Sequence, residues 1–373
     1  MRTLFLLSSH HMLAWPDGHT DALSVFAGKT GYYALRDRFG FLNRFSPYNL
    51  YEPHLNMYEA TFSKPLRDVM DERAAELWNK SRREGRDLYL FCSGGVDSTA
   101  MTIAMLKNAG GSLRGLHVVY TKYSVEEYPA FFEHLRASGV AMHFVLPGRA
   151  LDKAQQQAME KGYALTGWCA DQLFGSLINH NYPDWYFRDW RDWIGFDDAV
   201  GQFEEAFRHY GLPVRTLGEF LWFMNFSCKY DFVKYTDVML TGRLTGRMLS
   251  FYDTPEFNAW SVSNFDVLHQ YPQQDTEHYK AQLKDYIFAY NGDRAYRLHK
   301  GKQASWPMKR EGDARELWTY PVSVIAMESP ERVRVESAGV ELPEDDEKAA
   351  RLREAMMKRL LSDYQRTDAR RQA

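Results

Sequence analysis

At 373 residues, 45% of them hydrophobic and 25% charged, the chain has the length and composition of a globular protein with one large domain or two to three smaller ones. A net charge of −3 argues against a global attraction to nucleic acid or anionic membrane, while leaving room for a local basic patch. Three cysteines without CxxC spacing, Cys92, Cys169 and Cys228, argue against a disulfide framework or structural zinc and fit a reducing, cytoplasmic compartment.

The apolar run at Leu4–Leu7 stops at Ser8-Ser9-His10-His11 with no cleavage site, so no signal peptide is expected. No apolar stretch approaches the roughly 20 residues of a membrane span, so no membrane partner is expected either. No internal repeat is visible.

Residues 1–64 are rich in aromatics and punctuated by Gly, Asn and Pro, which reads as short strands, turns and irregular connections. The next unit is taken as 65–310. It opens on a helix from Pro65 to about Arg83, with Leu66, Val69, Met70, Ala74 and Leu77 at helical spacing and Pro65 in the first turn. Asp87–Cys92 is a buried parallel strand, Ser98–Asn108 a helix closed by Gly110-Gly111, and Leu116–Tyr120 a second strand. Glu126–Ser138 is a helix, Met142–Leu146 a third strand, Leu151–Lys161 a helix and Tyr163–Thr166 a fourth strand. This alternation predicts an α/β fold, a parallel sheet covered by helices on both faces. From about 181 onward the reading is mainly helical. Residues 311–373 are taken as an extension ending in a charged surface helix with a thin apolar stripe at Leu352, Met356, Leu360 and Leu361.

The most informative stretch is Ser93-Gly94-Gly95-Val96-Asp97-Ser98, where the first strand passes into a helix. Ligands of open parallel sheets bind at the carboxyl ends of strands. Gly94 and Gly95 let backbone approach a phosphate closely, the helix amino terminus offers N–H groups and a positive dipole end, and Ser93 and Ser98 add hydroxyls. Asp97 would repel a phosphate unless a cation lay between them, which is the physical reason to expect magnesium. The spacing is neither a Walker loop nor a GxGxxG turn.

These six residues resemble the SGGxDS signature of the PP-loop ATP pyrophosphatases, among them asparagine, GMP and NAD synthetases and tRNA thiolation enzymes. A second segment, Gly167-Trp168-Cys169-Ala170-Asp171-Gln172-Leu173-Phe174-Gly175, resembles the SGEGADELFGGY segment of the asparagine synthetase synthetase domain. The resemblance covers about residues 66–310 and implies an adenine nucleotide hydrolase-like fold. It implies ATP and Mg²⁺ as cofactors, ATP and pyrophosphate held by Ser93, Gly94, Gly95, Val96, Asp97, Ser98, Val119 and Gly167, and the metal held by Asp97 and Asp171. The stretch from Lys234 to Arg247 resembles the family's KVDR helix and implies that Arg243 and Arg247 bind the acceptor carboxylate. Leu298-His299-Lys300-Gly301-Lys302 resembles its RPKxGF segment and implies Lys302, with Lys300 as the alternative, as the lysine that stabilises developing phosphate charge.

Two departures matter. Trp168 stands where the asparagine synthetases carry a glutamate linked to the incoming nitrogen and the β-lactam-forming relatives a tyrosine. Gln172 stands where the family has a second glutamate. An indole is no general base, so Trp168 is read as lining the acceptor site. No cysteine precedes Cys92, so the family's amino-terminal glutaminase nucleophile is missing and the nitrogen is expected from ammonia or an amine. The implied function is an AMP-forming carbon–nitrogen ligase acting on a small-molecule carboxylate. The alternatives are a nucleic-acid base-modifying enzyme and a degenerate nucleotide binder. The aromatics of Tyr182–Trp193 are candidates for a flat acceptor pocket, for stacking on bases or for core packing. A homo-oligomer is compatible with the sequence.

Overall fold

Short apolar runs that must bury both faces pair with one another rather than with water, and here they build a five-stranded, all-parallel sheet. The computed structural model describes residues 2–6, 22, 37–42, 62–146, 149–175, 183–230, 233, 246–268, 271, 275–302, 323–329 and 332–337. After β1 (Arg2–Leu6) the chain runs through α1 (Leu66–Glu84), β2 (Asp87–Phe91), α2 (Val96–Lys107) and β3 (Leu116–Tyr120). It continues through α3 (Lys122–Glu127), α4 (Pro129–Ala137), β4 (Ala141–Phe144), α5 (Arg149–Lys161), β5 (Gly162–Thr166) and α6 (Ala170–Phe174). The sheet order is β4-β3-β2-β5-β6, with β6 at Met248–Ser250. Leu88 pairs with Leu116 on one side and Tyr163 on the other, so β2 lies at the centre.

Strand residues alternate between faces. Leu88 and Leu90 enter the main core with α1 and α2, while Tyr89 and Phe91 pack with Ala158 and Met159 of α5. Helices therefore cover both faces, as the alternating pattern predicts.

Three differences have physical causes. The single helix expected at Glu126–Ser138 is two, because Pro129 lacks an N–H and drives Tyr128 out of the helical region, to φ −147° and ψ 71°. Strand β6 falls in a stretch read as helical, since three residues give no periodicity to read. A second sheet, β1-β7-β8, pairs Arg2–Leu6 with Ser323–Ser329 (β7) and this with Arg332–Ser337 (β8), all antiparallel, in a part whose local sequence predicts helix, because the pairing of β1 with β7 joins opposite ends of the chain and leaves no local pattern. The expected terminal helix lies outside the described residues.

The further α-helices among the described residues are α7 (Trp190–Ile194), α8 (Asp197–Tyr210), α9 (Leu217–Ser227), α10 (Pro255–Ser263), α11 (Phe265–Leu268), α12 (Ala281–Asn291) and α13 (Arg294–His299). Trp190 stacks on Phe220 at 5.0 Å between ring centroids and meets Phe203 and Phe207 edge-on at 5.8 and 5.4 Å. Tyr186 is buried against Gly218, where an added Cβ would lie 2.5 Å from the ring. Of the three uses open to the 182–193 aromatics, core packing is the one that Tyr186, Trp190 and Trp193 show. Trp190→Ala should cost about 3–5 kcal/mol in a urea melt. Trp190→Phe should cost less than half as much, because the indole N–H is buried without a hydrogen-bond partner.

Part of the amino-terminal region packs on these helices. Asp37 accepts from Tyr210 Oη at 2.5 Å and from the Leu42 amide at 3.1 Å, and the Arg38 guanidinium lies 3.6 Å from the Tyr230 ring centroid. No helix among the described residues is long and apolar enough to cross a membrane.

Candidate functional site

The carboxyl edge of the sheet gathers both sequence motifs. At the end of β2, Ser93-Gly94-Gly95 turns directly into α2. The Ser93 amide donates to Ser98 Oγ at 3.0 Å, the two serine hydroxyls lie 2.9 Å apart, and Ser98 Oγ donates to the Gly95 carbonyl at 3.2 Å. Gly94 has φ +82°, and a Cβ there would meet the Ser124 carbonyl at 2.4 Å. The loop is therefore pressed onto α3 in a conformation only glycine takes easily. The amino end of α2 opens toward the cleft with Gly95, Val96 and Asp97.

At the end of β5 the second motif comes against the first. A Cβ on Gly167 would lie 3.1 Å from the Ser98 amide and 3.2 Å from Asp97. Cys169 takes φ +67° before α6 begins, and Asp171 stands in the first turn of that helix. Asn225 of α9 donates to the Asp171 carbonyl at 2.6 Å. Gln172 is buried and donates to Asn225 Oδ1 at 3.2 Å, so in this chain it anchors α6 to α9.

The residue that joins the motifs is one the sequence reading did not identify. Lys280 Nζ lies 2.6 Å from both Asp97 oxygens and 2.5 Å from Asp171 Oδ1, with its side chain 0% exposed. Lys302 Nζ lies 3.1 and 2.9 Å from the two Asp171 oxygens. Burial alone would raise Asp171, but the ammonium groups of Lys280 and Lys302 outweigh it and hold the carboxyl well below the usual range. Burial pushes Asp97 up, opposed chiefly by Lys280. Lys280 and Lys302 are held above their ordinary range despite burial by these same carboxylates.

Lys300 pairs with Glu127 at 2.8 Å, the two side chains being 6% and 5% exposed. Glu127 Oε2 has no hydrogen-bond partner although buried. Tyr252 donates from its hydroxyl to the Asp97 carbonyl at 2.9 Å.

Two adjoining clefts share Ser93 and Asp97. One is charged and is lined by the α2 amino terminus, Glu127, Lys300 and Lys302. The other is more apolar and is lined by Phe91, Val119, Leu151, Gln155, Thr166 and Trp168, with a buried Thr166 hydroxyl that has no partner. Ser93, Gly95, Val96, Asp97, Ser98, Val119, Gly167, Trp168, Asp171, Lys300 and Lys302 are thus brought to one place. Arg247 is not among them: its guanidinium donates to the Met159 and Glu160 carbonyls at 3.0 and 3.3 Å, at the end of α5. Arg243 lies outside the described residues.

Lys229, one residue beyond the α9 C-cap, falls within the field of Asp171 and Lys302, and burial brings it down from the ordinary 10.5 to about 8. Because its folded value lies below its unfolded one, the unfolded chain binds the extra proton between these values, and stability rises with pH there. Lys284 is likewise brought down to about 8 by burial, so urea melts should show a gain from pH 7.5 to 9 of which Lys229 contributes about 1 kcal/mol, and Lys229→Met should remove that share.

Chemically, the arrangement is a glycine-lined helix start beside three carboxylates, Asp97, Asp171 and Glu127, and three ammonium groups, Lys280, Lys300 and Lys302, with a less polar compartment next to it. It suits a polyanion carrying an apolar group. A scan against protein-family models matched none, and a search of curated proteins returned no match.

Proposed function

We propose that the protein is an ATP-dependent, AMP-forming ligase that adenylates a small-molecule carboxylate, releases pyrophosphate and passes the acyl group to ammonia or an amine. The observation that carries this reading is the meeting of Asp97, Asp171, Lys280 and Lys302 beside the Gly94-Gly95 loop. Two motifs some 70 residues apart in sequence are joined through one ammonium group at the edge of a charged cleft.

The nucleoside would take the compartment lined by Phe91, Val119 and Trp168, and the phosphates the charged one. The α2 amino terminus and the Ser93 and Ser98 hydroxyls hold phosphate oxygens. Lys300 and Lys302 meet the charge that grows on pyrophosphate as the bond between the α-phosphorus and its bridging oxygen breaks. The substrate carboxylate oxygen takes the new bond to that phosphorus. The amine nitrogen then attacks the acyl carbon, AMP leaves with the C–O electron pair, and the nitrogen gives up a proton.

Asp97 and Asp171 fit a shared magnesium ion, since oxygens of both already converge within 2.6 Å of one positive centre, Lys280 Nζ. Such an ion supplies charge neutralisation on the pyrophosphate oxygens. Two analogues test the cleavage site. With a substrate pool that supports turnover, β,γ-methylene-ATP should still yield AMP and α,β-methylene-ATP should be inert. The reverse pattern would place cleavage at the γ-phosphate and overturn the reading.

A further inference from the structure

We propose that Lys280 is a resident counter-cation. On this view it occupies the position that a divalent cation takes between Asp97 and Asp171, and it must be displaced before that cation binds. The proposal rests on the cation site put forward above and concerns how that site is kept when empty.

Lys280 Nζ touches both oxygens of Asp97 and one of Asp171, and Lys302 holds the remaining Asp171 oxygen at 2.9 Å. Every oxygen of the pair is thus already neutralised. Magnesium requires oxygens about 2.0–2.1 Å away around a common centre, and the lysine nitrogen sits at that centre. Two positive charges cannot share it.

The backbone supports a device rather than a chance pairing. Among the described residues only Cys169 and Lys280 outside glycine have positive φ, +67° and +47°; Cys169 stands two residues before Asp171, and Lys280 contacts both carboxylates. Such conformations cost free energy and persist where surrounding contacts hold them. Three carboxylate oxygens hold Lys280.

A displaced ammonium in a buried cleft needs a new anion. A divalent cation alone brings none, so it must strand the lysine. A cation arriving with polyphosphate brings phosphate oxygens next to Tyr279 and Lys302, within the same cleft. The lysine therefore makes cation and polyphosphate binding mutually supporting, and disfavours the cation alone.

Mn²⁺ titrations read by electron paramagnetic resonance test this. Mn²⁺ alone should bind Lys280→Met about tenfold or more tighter than wild type, a coupling of ordinary size. Lys280→Arg, which keeps the charge, should show no gain, and Asp97→Asn in the Met background should remove the site. Amine labelling read by mass spectrometry tests the unaltered chain, in case the Met variant does not fold. Lys280 should become more reactive with Mn²⁺ and fall back when inorganic pyrophosphate is added. Equal Mn²⁺ affinity in wild type and Lys280→Met, lost in Asp97→Asn, would leave the cation site standing and overturn the displacement. Labelling that stays constant while Mn²⁺ is bound would overturn it too. No Mn²⁺ binding by any form would overturn both.

Discussion

Asp171→Asn should lower ATP-dependent AMP release by about 10³-fold. The amide keeps the size of the side chain but removes the charge on which Lys280 and Lys302 converge, at 2.5 and 2.9 Å. Lys280 keeps Asp97, whereas Lys302 loses its carboxylate, so both ammonium groups relax away from the positions they hold. The stability loss should be smaller, about 1–3 kcal/mol, since Lys302 is partly exposed and water can replace part of the interaction. Steady-state rates measured beside a urea melt of the same preparation separate the two effects. A parallel fall of rate and folded fraction would mean that Asp171 matters only for folding.

Gly94→Ala should be the most damaging change in the loop. Two costs add. The first is a side chain at φ +82°, worth about 1–2 kcal/mol. The second is a Cβ placed 2.4 Å from the Ser124 carbonyl and 3.1 Å from Glu127 Cβ. The Ser124 carbonyl is backbone within α3 and cannot rotate away, so loop and helix must part. We expect a loss of about 2–4 kcal/mol and, on the proposed function, at least a tenfold weakening of nucleotide binding, because the parting moves the amides of the Ser93-Gly94-Gly95 turn. Gly111→Ala isolates the first cost. Its φ is +86° and no atom lies within 4 Å of the added carbon. Thermal melts of the two variants should differ by the steric part alone, and equal melts would show that α3 yields freely.

The three inner strands were readable because they carry the most buried apolar runs, whereas the edge strand β4 is largely exposed. Leu88–Phe91, Leu116–Tyr120 and Tyr163–Thr166 are nearly continuous apolar runs with helical segments between them, and the strand ends fall within a residue or two of those expected. β6 has three half-buried residues and takes its strand identity from pairing with β5, which no local pattern records. Tyr128 shows the opposite case: the Pro129 beside it carried a helix break that the apolar periodicity concealed.

The candidate site divides in the same way. Gly94, Asp97, Gly167 and Asp171 stand in contiguous motifs whose residue types carry their chemistry locally. Lys280 stands in no motif and follows a tyrosine in a mixed polar stretch. Its importance comes from the fold bringing it between carboxylates 183 and 109 residues earlier. Arg247 fails differently: a guanidinium suited to a carboxylate instead meets the carbonyls at the end of α5, where cations are favoured by the helix dipole. Trp168 lines the less polar compartment that would take the nucleoside, and its carbonyl accepts from Ser250 Oγ.

The most direct measurement is the nucleotide product formed from ATP labelled at the α-phosphate, with Mg²⁺ and pools of candidate acids and amines, in wild type and Asp97→Ala. The account predicts AMP with an equal amount of pyrophosphate, dependent on one pool and lost in the variant. Release of ADP and orthophosphate under the same conditions would contradict it.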